Sequence, residues 1–241
     1  MAGPAVYTAY DLGGKNNAEP ARSASRVKTS AVYKDCSTVC VIPTRGVIPA
    51  RVVESWWGLM QPMNHKFIRL MVKGMEVGAA YNWAVRTILD HPELSQWKYM
   101  LTLEEDNIPP PDGLLKLIEA MHTHPQYDAI GGLYWTKGEA GQPMIYGDPK
   151  KPLAFNPQVP VDGKIQECNG LGMGFTLFRI DAFRRLPEPW FVTKQEWTPA
   201  GSSSYTQDLY FFEAARRAGM RVASHNGVKV GHYDVEADVL W

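Results

Sequence analysis

Trp97-Lys-Tyr-Met-Leu-Thr-Leu103 runs directly into Glu104-Glu105-Asp106-Asn107, and Ile108-Pro-Pro-Pro-Asp112-Gly113 follows. A short run rich in apolar, aromatic and β-branched residues, closed by turn-forming ones, reads as a buried strand. Asp112 then stands where it can cap a helix whose apolar stripe is Leu114, Leu117, Ile118 and Met121. Residues two apart on a strand point the same way, so Glu104 and Asp106 leave the strand end together. In an open parallel sheet the ligand crevice lies beyond the carboxyl ends of the strands. Oxygen ligands there suit a hard divalent cation that keeps further positions for water and phosphate.

The sequence on either side repeats the pattern. Upstream, Ser37-Thr-Val-Cys-Val-Ile42 is a short strand stopped by Pro43-Thr-Arg-Gly46. Residues 48–60 read as a helix, 66–72 as a second strand, and 75–89 as a helix with Val77, Ala80, Ala84, Val85 and Ile88 at helical spacing. Downstream the chain is less regular. Asp128–Trp135 begins with a short strand, and loops rich in Gly and Pro extend from Thr136 to Gly170. Phe175–Arg179 is a strand followed by a short helix through Phe183. A long loop, Leu186–Tyr205, precedes a helix over Gln207–Ala218 that Gly219 closes. Residues 220–223 and 228–230 read as two last strands before His232. The order predicts one α/β domain over 36–241, with a mostly parallel central sheet flanked by helices on both faces. Residues 1–35, rich in Gly, Ala, Ser and Asn, read as a flexible arm.

Composition narrows the function classes. Lys+Arg and Asp+Glu balance at 25 each, so no global field draws the chain to nucleic acid or anionic lipid. No long apolar run is present, and Met1–Gly14 lacks the pattern of a secretory signal, so no membrane anchor is expected. Cys36, Cys40 and Cys168 read as reduced thiols, which points to the cytoplasm. The Lys-containing phosphate loop and the Gly-x-Gly-x-x-Gly fingerprint are both missing, which sets ATPases and dehydrogenases aside.

Tyr99-Met-Leu-Thr-Leu-Glu-Glu-Asp-Asn-Ile-Pro-Pro-Pro-Asp-Gly-Leu-Leu resembles the strand, DxD motif and helix of GT-A glycosyltransferases, which have a Rossmann-like single domain. Val41-Ile-Pro-Thr-Arg-Gly46 is similar to the family's opening strand and nucleoside-holding loop. Ala80-Tyr-Asn-Trp-Ala-Val-Arg86 looks like the helix that presents an Arg-Asn pair to the nucleotide, with Tyr81 in place of the arginine. The resemblance covers about residues 38–234. It implies transfer of a sugar from a nucleotide-sugar donor, a UDP-sugar, to a hydroxyl acceptor, with Mn2+ or Mg2+ as cofactor. On the donor side it implies Pro43, Thr44, Arg45, Asn82, Glu104 and Glu105. Asp106 and His232 would hold the metal, with Glu104 as a further ligand or at the ribose. Asp208, in a helix resembling the one that starts with a Glu-Asp pair, stands where inverting members carry the general base; Gln207 replaces the Glu.

Gly170-Leu-Gly172 resembles the glycine-rich stretch on the acceptor side, and such glycines serve either close approach to a bound sugar or a tight turn. Trp190 and Trp197 are aromatic candidates for stacking on the acceptor. The acceptor is a glycan precursor, a protein or a hydroxymethylated base of phage DNA. Nucleic acid enters only in that last role, with the base flipped out. Two alternatives stand beside this expectation: a nucleotidyltransferase acting on sugar phosphates, and a non-catalytic sugar-binding module.

Overall fold

A computed structural model describes Tyr33 and residues 35–63, 65–198 and 201–241. Most of the expected arm lies outside the described residues. Tyr33 is buried and donates a hydrogen bond to Glu119 at 2.5 Å, so packing against the domain is already present at residue 33. The first half follows the expected alternation: β1 (Thr38–Thr44), α1 (Ala50–Trp57), β2 (Phe67–Lys73), α2 (Val77–Asp90), β3 (Tyr99–Leu103), β4 (Asn107–Ile108) and α3 (Gly113–Thr123). Glu76 caps α2 by accepting from the Ala79 amide at 2.9 Å. Asp112 occupies the N-cap position of α3, and its carboxylate pairs with Lys116 one turn on, at 3.2 Å.

The alternation of side chains along β1 explains the two-faced core. Val39 and Val41 join one apolar layer, in which α2 contributes Ala80, Tyr81, Ala84, Val85 and Ile88. Cys40 and Ile42 join the other, in which α1 contributes Val52 and Trp56, and α3 contributes Leu114, Leu117, Ile118 and Met121. Each fully buried side chain of this size is worth roughly 1.5–3 kcal/mol, so the two layers hold the sheet in place from both sides. All three cysteines are buried and carry free thiols.

The second half runs β5 (Ala129–Leu133), β6 (Ile145–Tyr146), β7 (Ile165–Cys168), β8 (Gly170–Leu171), β9 (Phe175–Arg179), α4 (Ile180–Phe183), β10 (Lys194–Thr198), β11 (Gly201–Tyr205), α5 (Gln207–Arg217), β12 (Val222–Lys229), β13 (Gly231–Asp234) and β14 (Val239–Leu240). The central sheet has seven strands in the order β2-β1-β3-β9-β5-β12-β7. β2, β1, β3, β5 and β12 share one direction, while β9 and β7 run against them. The sheet is therefore mostly parallel and flanked by helices, as expected. Two local readings need correction. The segment 186–205 is not all loop, because Lys194–Thr198 and Gly201–Tyr205 pair as an antiparallel hairpin. The two strands expected over 220–223 and 228–230 are one: β12 runs unbroken from Val222 to Lys229, and its pairing with β5 is interrupted between His225 and Lys229.

α5 is set down on an aromatic cluster. The ring of Phe211 stacks on Phe191 at 4.8 Å between centroids and meets Phe178 edge-on at 5.6 Å. This fixes the first turn of α5, where Asp208 sits. Among the described residues no helix is long and apolar enough to cross a membrane.

Candidate functional site

β1 and β3 pair in register from Thr38–Tyr99 to Val41–Thr102, so their carboxyl ends finish side by side. A cleft of about 360 Å³ opens there, lined by Pro43, Thr44, Arg45, Met75, Val77, Glu104, Glu105 and Asp106. Six of these residues are the expected donor-side and metal-side positions. Glu105 braces the cleft's rim. It accepts from Thr44 Oγ1 at 2.7 Å, from the Arg45 amide at 2.9 Å and from Arg45 Nε at 2.5 Å. Burial pushes the Glu105 carboxyl up, but the hydrogen bonds from Thr44 and Arg45 outweigh it and hold the group below its ordinary value. Its oxygens are committed to the loop and hold Thr44 and Arg45 in place.

The returning histidine arrives by strand pairing. β13 lies antiparallel to β4, with His232 opposite Asn107, and the Tyr233 amide donates to the Asp106 carbonyl at 2.7 Å. His232 Nδ1 is 2.8 Å from the carbonyl oxygen of Trp135. A carbonyl only accepts, so Nδ1 carries a proton. Nε2 faces Asp106 Oδ2 at 3.3 Å. A ring nitrogen and a carboxylate oxygen at this distance share a positive centre, either a proton on Nε2 or a cation held between them. One cation is already close: Lys137 Nζ lies 2.6 Å from the same Oδ2. Burial pushes the Asp106 carboxyl up, yet the hydrogen bonds and charges of His232 and Lys137 bring it down to about 2. Carboxylate and imidazole together suit manganese or a comparable divalent ion. Among the described residues no cluster of three or more His, Cys, Asp or Glu side chains is placed to hold a metal.

Glu104, expected as a third ligand or at the ribose, lies deeper. It accepts from the buried Tyr81 hydroxyl at 3.1 Å, and burial, with Asp106 and Asp208 nearby, pushes it up to about 8. Its oxygen is taken up by Tyr81 inside the fold, while Asp106 faces His232 nearer the rim. Asp208 is 6% exposed; its Oδ1 accepts from the Thr206 hydroxyl and from the Leu209 amide. Burial raises its affinity for a proton against these hydrogen bonds. Its charge is among the influences that push the Glu104 carboxyl up.

Four other candidates fall elsewhere. Asn82 Oδ1 accepts from the amides of Trp190 and Phe191 at 2.8 and 3.0 Å, and its Nδ2 donates to the Phe191 carbonyl at 2.6 Å. The side chain ties down the 190–191 backbone, with both contacts of its Oδ1 and one of its two Nδ2 hydrogens spent there. Trp190 is buried in the first core and donates to the Phe183 carbonyl at 3.0 Å, so it cannot stack on an acceptor. Gly170 and Gly172 are buried against protein. A Cβ at Gly170 would meet the Phe155 ring at 3.0 Å, and one at Gly172 would meet the Tyr134 hydroxyl at 2.1 Å. Tyr134 in turn meets the His232 ring edge-on at 5.5 Å, so Gly172 serves the site by making room for Tyr134. Trp197, by contrast, is 81% exposed on the hairpin that leads into α5.

Tyr81, Trp135 and Lys137 are site residues that sequence reasoning did not pick out. Nothing in spacing marks Lys137, one cation among many in a Gly-rich loop, whereas Tyr81 stands where the resembling family has arginine. A larger cavity, of about 390 Å³, lies at the opposite ends of β1 and β3, beside Cys36, His65 and Trp97. Cys36 Sγ is 3.1 Å from His65 Nδ1, but burial pushes the thiol up to about 11 and the imidazole down to about 4. That neutral pair lacks the thiolate that a nucleophile or metal ligand requires.

No protein-family model matches the chain, and no curated protein matches it. The chain is similar to the crystal structure of A197 from STIV, at 20% identity, over 85% of this chain and 92% of that one, with a TM-score of 0.59. At that identity the likeness shows a shared fold.

Proposed function

We propose that this chain is a divalent-metal-dependent glycosyltransferase of the GT-A type, moving a sugar from a UDP-sugar to a hydroxyl acceptor with inversion. The observation that carries this reading is the Asp106–His232 pair, an imidazole nitrogen 3.3 Å from a carboxylate oxygen beside the Pro43–Arg45 cleft at the carboxyl ends of β1 and β3. A divalent cation bound by the pair would neutralise the charge growing on the leaving diphosphate. The cleft loop, braced by Glu105, holds the nucleoside between Pro43, Thr44 and Arg45. Asp208 accepts the proton of the acceptor hydroxyl as its oxygen bonds to the anomeric carbon. The bond from that carbon to the diphosphate breaks on the opposite face, its electron pair leaving with UDP. Burial of Asp208 suits it to the role, since a desolvated carboxylate binds a proton more tightly.

The test is release of UDP from a panel of UDP-sugars, with Mn2+ and with a chelator in its place. Release should require Mn2+ and should fall to background in Asp106→Asn. Release by no nucleotide-sugar, or release indifferent to the chelator, would sink the proposal.

A further inference from the structure

Lys137 occupies the carboxylate oxygen that a cation held between Asp106 and His232 would share. Its Nζ is 2.6 Å from Asp106 Oδ2, the oxygen that also faces His232 Nε2 at 3.3 Å. Two cations cannot share that oxygen at contact distance without strong mutual repulsion. The segment bearing Lys137 is coupled to the pair a second time, because the carbonyl two residues earlier, at Trp135, fixes the histidine's tautomer. The lysine leaves a tight turn closed by Thr136–Gln142 hydrogen bonds at 2.8 and 2.9 Å, and at Gly138 that turn faces open space. The side chain is about one-third exposed, so it can swing without disturbing the core. A lysine ammonium is a compact point charge on a four-carbon stem, suited to exchanging one anionic partner for another.

We propose that Lys137 is the resident counter-ion of the Asp106–His232 pair, which it yields to the divalent cation, and that its charge then passes to the diphosphate of the donor. Lys137 is in this sense a positioning residue for the donor, and the inference rests on the glycosyltransferase reading given above. It carries a signature that a merely structural lysine does not have: removing it changes two affinities in opposite directions. Metal without nucleotide should bind more tightly, because a competitor is gone. Nucleotide in the presence of metal should bind more weakly, because a cation for the diphosphate is gone.

The experiment measures Mn2+ binding by electron paramagnetic resonance on the purified chain, and then UDP binding at saturating Mn2+. Lys137→Met should tighten Mn2+ binding by about 1.4-fold to fivefold, the range of a partly exposed ion pair. The same variant should weaken UDP by a similar factor, and Lys137→Arg should restore most of the UDP affinity. If the parent chain binds Mn2+ and Lys137→Met changes neither affinity, the inference is overturned while the glycosyltransferase reading stands. Tighter Mn2+ with unchanged UDP overturns the transfer to the diphosphate. Mn2+ bound by neither protein overturns the metal-dependent reading and this inference together.

Discussion

Asp208 concentrates the chemistry at the scale of single residues. It lies in the first turn of α5, buried, accepting from Thr206 and Leu209. An amide in its place keeps an acceptor oxygen for those donors but loses the capacity to take a proton. Asp208→Asn should therefore lower turnover by about a hundred- to ten-thousand-fold, as removal of a general base does, while UDP affinity and melting temperature hold. Near-normal turnover in that variant, or a product with retained configuration by NMR, would remove Asp208 from the role. Much of the site at this scale was legible in the sequence. Asp106 and His232 were marked by their strand-end positions and meet in the fold. For Glu104, the alternation that sends it the same way as Asp106 says nothing of depth, and the fold buries it against the Tyr81 hydroxyl. Lys137 carried no local signal, since its partner is 31 residues away in sequence.

At the scale of elements, the contact between α2 and the 190–191 segment separates scaffold from site. Tyr81 and Asn82 are neighbours on α2, yet Tyr81 reaches Glu104 while Asn82 holds the backbone of Trp190 and Phe191. Phe191 then stacks on Phe211 and so helps to seat α5. Asn82→Ala would leave two amides and a carbonyl unpaired. Each such buried group costs about 1–3 kcal/mol, so the melting temperature should fall clearly, by an amount equivalent to about 2 kcal/mol or more. UDP affinity at saturating Mn2+ should change much less in a folded sample. A stable variant with UDP binding lost would return Asn82 to the nucleotide site. The helices were readable because their apolar spacing matches a single buried face. The hairpin β10–β11 was not, because a Gly-Ser-Ser-Ser run looks like loop until its partner strand, Lys194–Thr198, is known.

For the whole molecule, the sequence order of strand and helix implied the layered α/β form, and the structure adds that the carboxyl ends of β1 and β3 lie side by side. It did not reveal that β9 inserts against the direction of its neighbours, between β3 and β5. Phe175–Arg179 is buried almost throughout, as a central parallel strand also is, so burial pattern alone cannot fix its direction. The shared fold with A197 from STIV supports the architecture and leaves the chemistry to the site. The central claim is that the strand-end pair binds a divalent cation beside a nucleotide cleft. Crystals of the chain soaked in Mn2+ and UDP, measured at the manganese absorption edge, test it most directly. An anomalous peak at coordination distance from Asp106 Oδ2 and His232 Nε2, with the nucleoside against Pro43, Thr44 and Arg45, is the result predicted here. Manganese found elsewhere on the chain, or UDP bound in the cleft with no metal at the pair, would contradict it.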